Sequence, residues 1–124
     1  MTEDAYTLFR EGQKRLRGGL TAQATVPLEK ARRLEPDKAS IREALGIAYF
    51  RLHRWEDAER EFRAIVEELS PTDHYAHYAL GRSLERQGRI AEANGHYKLA
   101  SSMKPGSEQY SSRILDLDEQ TGTG

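Results

Sequence analysis

The chain contains no cysteine. That removes disulfides, zinc–thiolate centres and thiol nucleophiles at once. No stretch of eighteen apolar residues exists, so the sequence holds no membrane-spanning helix. The opening residues Met1-Thr2-Glu3-Asp4 are acidic and lack an apolar core, so they are not read as a signal peptide. A cytoplasmic protein is the simplest expectation. No excess of either charge is present: 31% of residues are charged, yet the formal net charge is −1. Acidic and basic residues alternate, which argues against a polyanion-binding protein. No glycine-rich phosphate loop and no His-Ser-Asp pattern is visible. Gly18-Gly19 reads as a helix stop.

What is present is a beat. Pro36, Pro71 and Pro105 are 35 and 34 residues apart, and Ala24, Ala58 and Ala93 are 34 and 35 apart. Gly12, Gly46 and Gly81 recur at 34 and 35. Four residues after each alanine stands a large apolar residue: Leu28, Phe62 or Tyr97. A fixed period of this length marks a helical repeat array. Such arrays present surfaces to partners far more often than they catalyse. At 124 residues the chain is long enough for one domain with its own core.

Apolar spacing and helix-stop residues predict seven helices, at 3–17, 21–34, 38–52, 55–69, 74–87, 90–103 and 108–118. Thr21 and Asp37 are candidate N-caps for the second and third. The second helix shows an apolar face of Ala24, Leu28, Ala31 and Leu34. His53 stands where the other repeats place Gly19 and Gly88, so a left-handed turn is expected there. Paired helices should cross closely at the repeat glycines, where a larger side chain would drive the backbones apart. Tyr110, Ile114 and Leu117 give the seventh helix one apolar face, fit to cap the sixth. One spacing departs from the rest. Phe62 to Pro71 spans nine residues, against eight for Leu28–Pro36 and Tyr97–Pro105. The extra residue adds ~100° of rotation or ~1.5 Å of rise if it stays in the helix. A bulged turn that absorbs it is the expected outcome.

On these residues the chain resembles the tetratricopeptide repeat family. The family pattern is Trp-x2-Leu-Gly-x2-Tyr, then Ala-x3-Phe, then Pro. The second repeat carries Leu45-Gly46, Tyr49, Ala58, Phe62 and Pro71. The third carries Leu80-Gly81, Leu84, Ala93, Tyr97 and Pro105. The first carries Leu8, Gly12, Ala24, Leu28 and Pro36, with Glu11 where leucine is usual. The tryptophan place holds Leu8, Arg42 and His77. The resemblance implies an all-α, right-handed solenoid of three helix-turn-helix repeats, about 5–38, 39–73 and 74–107, closed by a capping helix at 108–118. Together these make a single domain over 1–118, with 119–124 as a flexible tail.

The resemblance also implies a function: protein–protein interaction without catalysis, as an adaptor or scaffold. In the family the first helix of each pair lines a concave groove. By repeat position the lining here is Tyr6, Phe9 and Gln13; then Glu43, Ile47 and Phe50; then Tyr75, Tyr78, Arg82 and Glu85. Such aromatic surfaces suit a peptide or an amphipathic helix. Self-association through the groove or a solenoid end is the alternative. Some family members hold two carboxylates with a clamp of Lys, Asn and Arg. The matching places here carry Phe9, Gln13, Ala44, Tyr75 and Ala79, none of them a cation, so a chaperone-tail ligand of that kind is not expected. Among the remaining candidates, His74 and His77 sit three apart beside Asp73, a conceivable metal pair and the basis of a remote hydrolase reading. Exposed or groove-lining histidines account for them better. His96 reads as a helix-surface residue. Arg10, Lys14 and Arg17 share a helix face, but Glu3, Asp4 and Glu11 dilute it, and nucleic acid is not the expected partner. No cofactor, metal or catalytic residue is expected.

Overall fold

The computed structural model describes residues 3–115. All regular structure in them is helical: α1 Ala5–Arg17, α2 Thr21–Leu34, α3 Ala39–Arg51, α4 Trp55–Ala64, α5 His74–Arg86, α6 Ile90–Met103 and α7 Glu108–Ser111. Each helix packs on the next in sequence, and α1 also meets α3. Three antiparallel pairs are therefore stacked side by side. One large apolar cluster runs from Ala24 and Leu28 to Tyr97 and Tyr110. A smaller one joins Ala5, Leu8, Ala31 and Ile41 at the N-terminal end.

The repeat beat is steric. A Cβ on Gly46 would lie 2.5 Å from Cζ of Phe62, and one on Gly81 would lie 2.5 Å from Cε1 of Tyr97. A Cβ on Gly12 would collide with Leu28. Each glycine thus receives the large side chain of its own second helix, and Leu28, Phe62 and Tyr97 are fully buried in return. Between the paired helices the chain turns through a left-handed residue: Gly19 at φ 79°, His53 at φ 60° and Gly88 at φ 82°. His53 fills the place expected of it.

The tryptophan position has acquired a different task. Nε of Arg42 donates to the carbonyl of Pro36 at 2.9 Å, and Nε2 of His77 bonds the carbonyl of Pro71 at 2.8 Å. Both side chains reach back six residues to the repeat proline and hold the inter-repeat turn. The fourth proline, Pro27, lies inside α2. It has no N–H to give the carbonyl of Gln23, four residues earlier. Nη1 of Arg15 on α1 bonds that carbonyl instead, at 3.0 Å.

The additional residue between Phe62 and Pro71 is absorbed inside the helix. After Ala64, α4 widens into a π-helical turn over Ile65–Leu69, closed by Ser70 N–H on the Ile65 carbonyl at 2.6 Å. A π turn takes up one more residue than an α turn without breaking the chain direction. The expectation of a bulged exit turn is therefore corrected in detail.

Other local expectations also change. Asp4 and Asp73 cap α1 and α5 through the N–H groups of Thr7 and Ala76. Thr21 and Asp37 cap nothing: the caps of α2 and α3 are Leu20 and Lys38, with no side-chain bond. Leu34 is 56% exposed rather than part of an apolar face. The capping helix is a single turn, Glu108–Ser111: of the expected span 108–118, residues 112–115 leave the helix and 116–118 lie outside the described residues. Beyond it, the side-chain amide of Asn94 takes both backbone groups of Leu115, donating at 3.0 Å and accepting at 2.7 Å. That side-chain pairing fixes the chain in a non-helical course. Tyr110 is buried and Ile114 packs at the core edge, while Leu117 and the predicted tail lie outside the described residues.

Candidate functional site

The first helices α1, α3 and α5 share one open face, and two adjoining clefts run along it. One lies between α3 and α5 and is walled by Ile47, Phe50, Arg51, Tyr75, Tyr78, Ala79 and Arg82. Phe62 of α4 reaches through to form its floor. The other lies between α1 and α3 and is walled by Phe9, Gln13, Leu16, Arg17, Ser40, Glu43, Ala44, Ile47 and Arg51. Ile47 and Arg51 belong to both, so the clefts form one groove. Helical spacing explains the convergence, because Glu43, Ile47 and Phe50 recur at three and four along α3, as do Tyr75, Tyr78 and Arg82 along α5.

Eight of the ten sequence-predicted residues meet there: Phe9, Gln13, Glu43, Ile47, Phe50, Tyr75, Tyr78 and Arg82. Two do not. Tyr6 stands 66% exposed on a third depression that adjoins the second cleft through Phe9 and Ser40, and its hydroxyl accepts from Arg10 at 3.0 Å. Glu85 is spent internally, accepting from the Tyr97 hydroxyl at 3.0 Å and facing Arg113 at 3.8 Å. Repeat phase assigns a residue to a face of its helix. It does not reveal that a neighbour from another helix already occupies that residue. Repeat phase also missed Arg17, Arg51, Leu16 and Ser40. Arg17 and Arg51 were detectable, since with Arg86 they close α1, α3 and α5 on the repeat beat of 34 and 35 residues.

The aromatic wall is part groove and part core. Tyr78 is only 8% exposed, with its ring 5.0 Å from Tyr110 and 6.0 Å from Tyr97. Tyr75 meets Phe62 edge-on at 6.4 Å. Arg82 lies over the Phe50 ring at 5.4 Å and donates to the Tyr78 hydroxyl at 3.2 Å. Burial pushes the Tyr78 phenol up, but the hydrogen bonds and positive charge of Arg82, with Gln109 and Arg113, outweigh it and hold the phenol below its ordinary value. The Tyr75 phenol is pushed up, by burial and then by the Glu43 carboxylate. Glu43 is itself raised, by burial first and then by the negative charge of Asp73. The groove is thus apolar in the middle, acidic toward Glu43 and basic toward Arg51 and Arg82.

The opposite face is tied shut by ions. Glu61, 1% exposed, accepts from Arg32 at 2.7 Å and Arg42 at 3.1 Å, joining the first repeat to the second. Arg63 bonds Glu59 and Glu92, and Arg89 bonds both carboxylates as well, joining the second repeat to the third. The histidines are spent here too. His74 Nδ1 meets the Tyr110 hydroxyl at 2.7 Å. His77 is buried, and His96 is half-buried rather than a plain surface residue. Their Nδ1 atoms are 3.1 Å apart with the rings stacked. Neither lines the groove. No group of three or more metal-ligating side chains occurs among the described residues. No described helix is long and apolar enough to cross a membrane.

Comparison with known proteins agrees with the fold. The family model described as "Tetratricopeptide repeat" matches residues 9–74 and, overlapping it, 43–108. Superkiller complex protein 3 of Mus musculus is 30% identical over 111 residues, which is 90% of this chain but 7% of that protein. Among solved structures, one titled "Crystal structure of MamA" superposes with a TM-score of 0.88 at 25% identity, over 95% of this chain and 68% of that one. The first TPR of Spaghetti (RPAP3), bound to the HSP90 peptide SRMEEVD, gives 0.87 at 19% identity, over 97% of this chain and 94% of that one.

Proposed function

The chain belongs to the tetratricopeptide repeat family, and from that premise we propose that it is a non-enzymatic adaptor whose concave groove holds a peptide or helix of a partner protein. The fold generally mediates protein–protein interaction. One observation carries the more specific reading: the face with two continuous clefts, apolar where they meet at Ile47, is open, while the opposite face is tied across both repeat junctions by ion pairs. Open aromatic surface of this kind offers large contact area at low entropy cost. A neighbour of the same fold, the first TPR of Spaghetti, is itself a peptide complex. Location in the cytoplasm is part of the same proposal.

The test isolates Ile47, the wall shared by both clefts. Random twelve-residue peptides displayed on phage are selected on the immobilised chain. Their affinities are then measured for wild type, Ile47→Ala and Ile47→Trp. Both variants should melt close to wild type and bind at least about tenfold more weakly, the scale of an interface hot spot. Unchanged affinity in both folded variants would place the binding surface elsewhere.

A further inference from the structure

We propose that the groove selects an extended, acidic segment of its partner, with carboxylates about three residues apart that pair with Arg17, Arg51 and Arg82. This rests on the groove being the binding surface and names the chemistry it reads.

The first argument is the charge left over. Every cleft in the groove carries guanidinium: Arg17 and Arg51 in one, Arg51 and Arg82 in the other. Among the described residues none of the three is within ion-pair distance of a carboxylate, a state they share with Arg10, Arg33 and Arg86, whereas the other arginines are paired. Arg17 and Arg51 end their helices, where a cation complements the carbonyl dipole, so helix stability alone would account for them. It does not account for Arg82. That residue sits inside α5, one turn before its end, with Nε buried and without a hydrogen-bond partner. Its guanidinium is propped on the Phe50 ring and the Tyr78 hydroxyl. A guanidinium propped in this way is held in place to receive a carboxylate through a charge-assisted bond.

The second argument is polarity across the groove. Glu43 and Asp73, toward the N-terminal ends of α3 and α5, make the opposite rim acidic; Glu43 is raised by burial first and then by the charge of Asp73. An acidic ligand is therefore repelled from that rim and drawn to the arginine line. This arrangement differs from a clamp at the places of Phe9, Gln13, Ala44, Tyr75 and Ala79, where no cation stands. The third argument is spacing. Packed helices lie about 10 Å apart, and an extended chain advances about 3.3 Å per residue. Carboxylates on Arg17 and Arg51 are then about three residues apart, and Arg82, one turn or about 5.4 Å back from the helix end, lies about three to four residues further on, with an apolar side chain between over Phe62.

The test uses acetylated, amidated eleven-residue peptide libraries with one fixed Phe. Aspartate, asparagine or lysine stands at two positions three apart around it. Affinity is read by fluorescence anisotropy at 50 and 500 mM NaCl. Wild type should favour Asp over Asn about tenfold, and the preference should shrink at high salt. The double variant Arg51→Glu with Arg82→Glu should prefer the Lys library, a reversal that loss of structure cannot produce. If Asp and Asn peptides bind alike and Ile47→Ala weakens both, the charge inference falls and the groove stands. If binding ignores Ile47 and the arginines together, the groove reading falls with it. No binding of the Asp library at all overturns the inference. A labelled twelve-nucleotide single strand is the last arm. If it binds wild type more tightly than the Asp library and is lost in the Glu variant, the arginine line reads phosphate, and the acidic-peptide inference is wrong.

Discussion

Adding one methyl group at Gly46 should distinguish steric pairing from simple helix propensity. A Cβ there would lie 2.5, 2.7 and 2.9 Å from three ring carbons of Phe62. These atoms belong to a rigid ring that is 1% exposed, so no flexible end can swing away. Overpacking of this kind costs about 1–3 kcal/mol. Alanine gains back about 1 kcal/mol of helix propensity over glycine. Gly46→Ala is therefore expected to lose up to about 2 kcal/mol net. Gly95 is the control. It lies within α6, and a Cβ there meets nothing within 4 Å. Gly95→Ala should keep the propensity gain alone and stabilise by about 0.5–1 kcal/mol. For a domain of this size 1 kcal/mol moves Tm by about 4 °C, so the two variants should melt on opposite sides of wild type. Trimming the ring should relieve the clash: Gly46→Ala with Phe62→Leu should lose less than the sum of the singles. Circular dichroism melts and urea titrations provide the readout. If Gly46→Ala is stabilised as much as Gly95→Ala, the close crossing does not exist.

Two further outcomes follow from the ion and histidine contacts. Replacing both Arg32 and Arg42 by Met strands the Glu61 carboxylate and should cost about 3 kcal/mol, whereas Glu61→Gln should cost only about 1–2 kcal/mol because the guanidiniums still reach water; equal losses in urea titrations would contradict this. His96 is held below its ordinary value of 6.5, by burial first, then by the facing His77 and Arg63, against the pull of Glu92 and Glu67. A depressed histidine contributes stability above its unfolded pKa and loses it as pH falls. Tm should therefore drop from pH 7 to pH 5, before Glu59 and Glu92, both lowered from 4.5, lose theirs further down. In His96→Gln the slope from pH 7 to 5 should flatten; an unchanged slope would show that His96 is not the group titrating.

The repeat phase was legible because it is enforced by volume. Gly46 against Phe62 and Gly81 against Tyr97 leave room for one solution, and the left-handed turn at His53 follows from chain geometry. The extra residue before Pro71 could be counted but not located. Whether a helix widens or its exit turn bulges depends on what the next repeat packs against. Caps were read poorly at Thr21 and Asp37, since a side-chain oxygen near a helix start can turn to solvent. The His77–His96 contact joins residues 19 apart on different helices, and only the packing of α5 on α6 creates it. In the groove, helical periodicity found the aromatic lining, because side-chain direction is set by position. It could not show that the Tyr78 ring is shared with Tyr97 and Tyr110, that Tyr6 stands beyond the two clefts beside Arg10, or that Glu85 is engaged by Tyr97. Arg17 and Arg51 keep the beat, yet a charge at a helix end gives no sign of a groove until the clefts place the two together.

The central claim is that the face of α1, α3 and α5 is the working surface. The most direct measurement is a two-dimensional NMR titration of the isotope-labelled chain with the tightest peptide from phage selection, following backbone amides and side-chain methyls. The account predicts saturable shifts centred on Ile47, Phe50, Arg51, Tyr75 and Arg82, with the amides of α2 and α6 nearly still. Shifts confined to α2, α4 and α6, or to the two ends of the stack, with Ile47 unmoved, would contradict it.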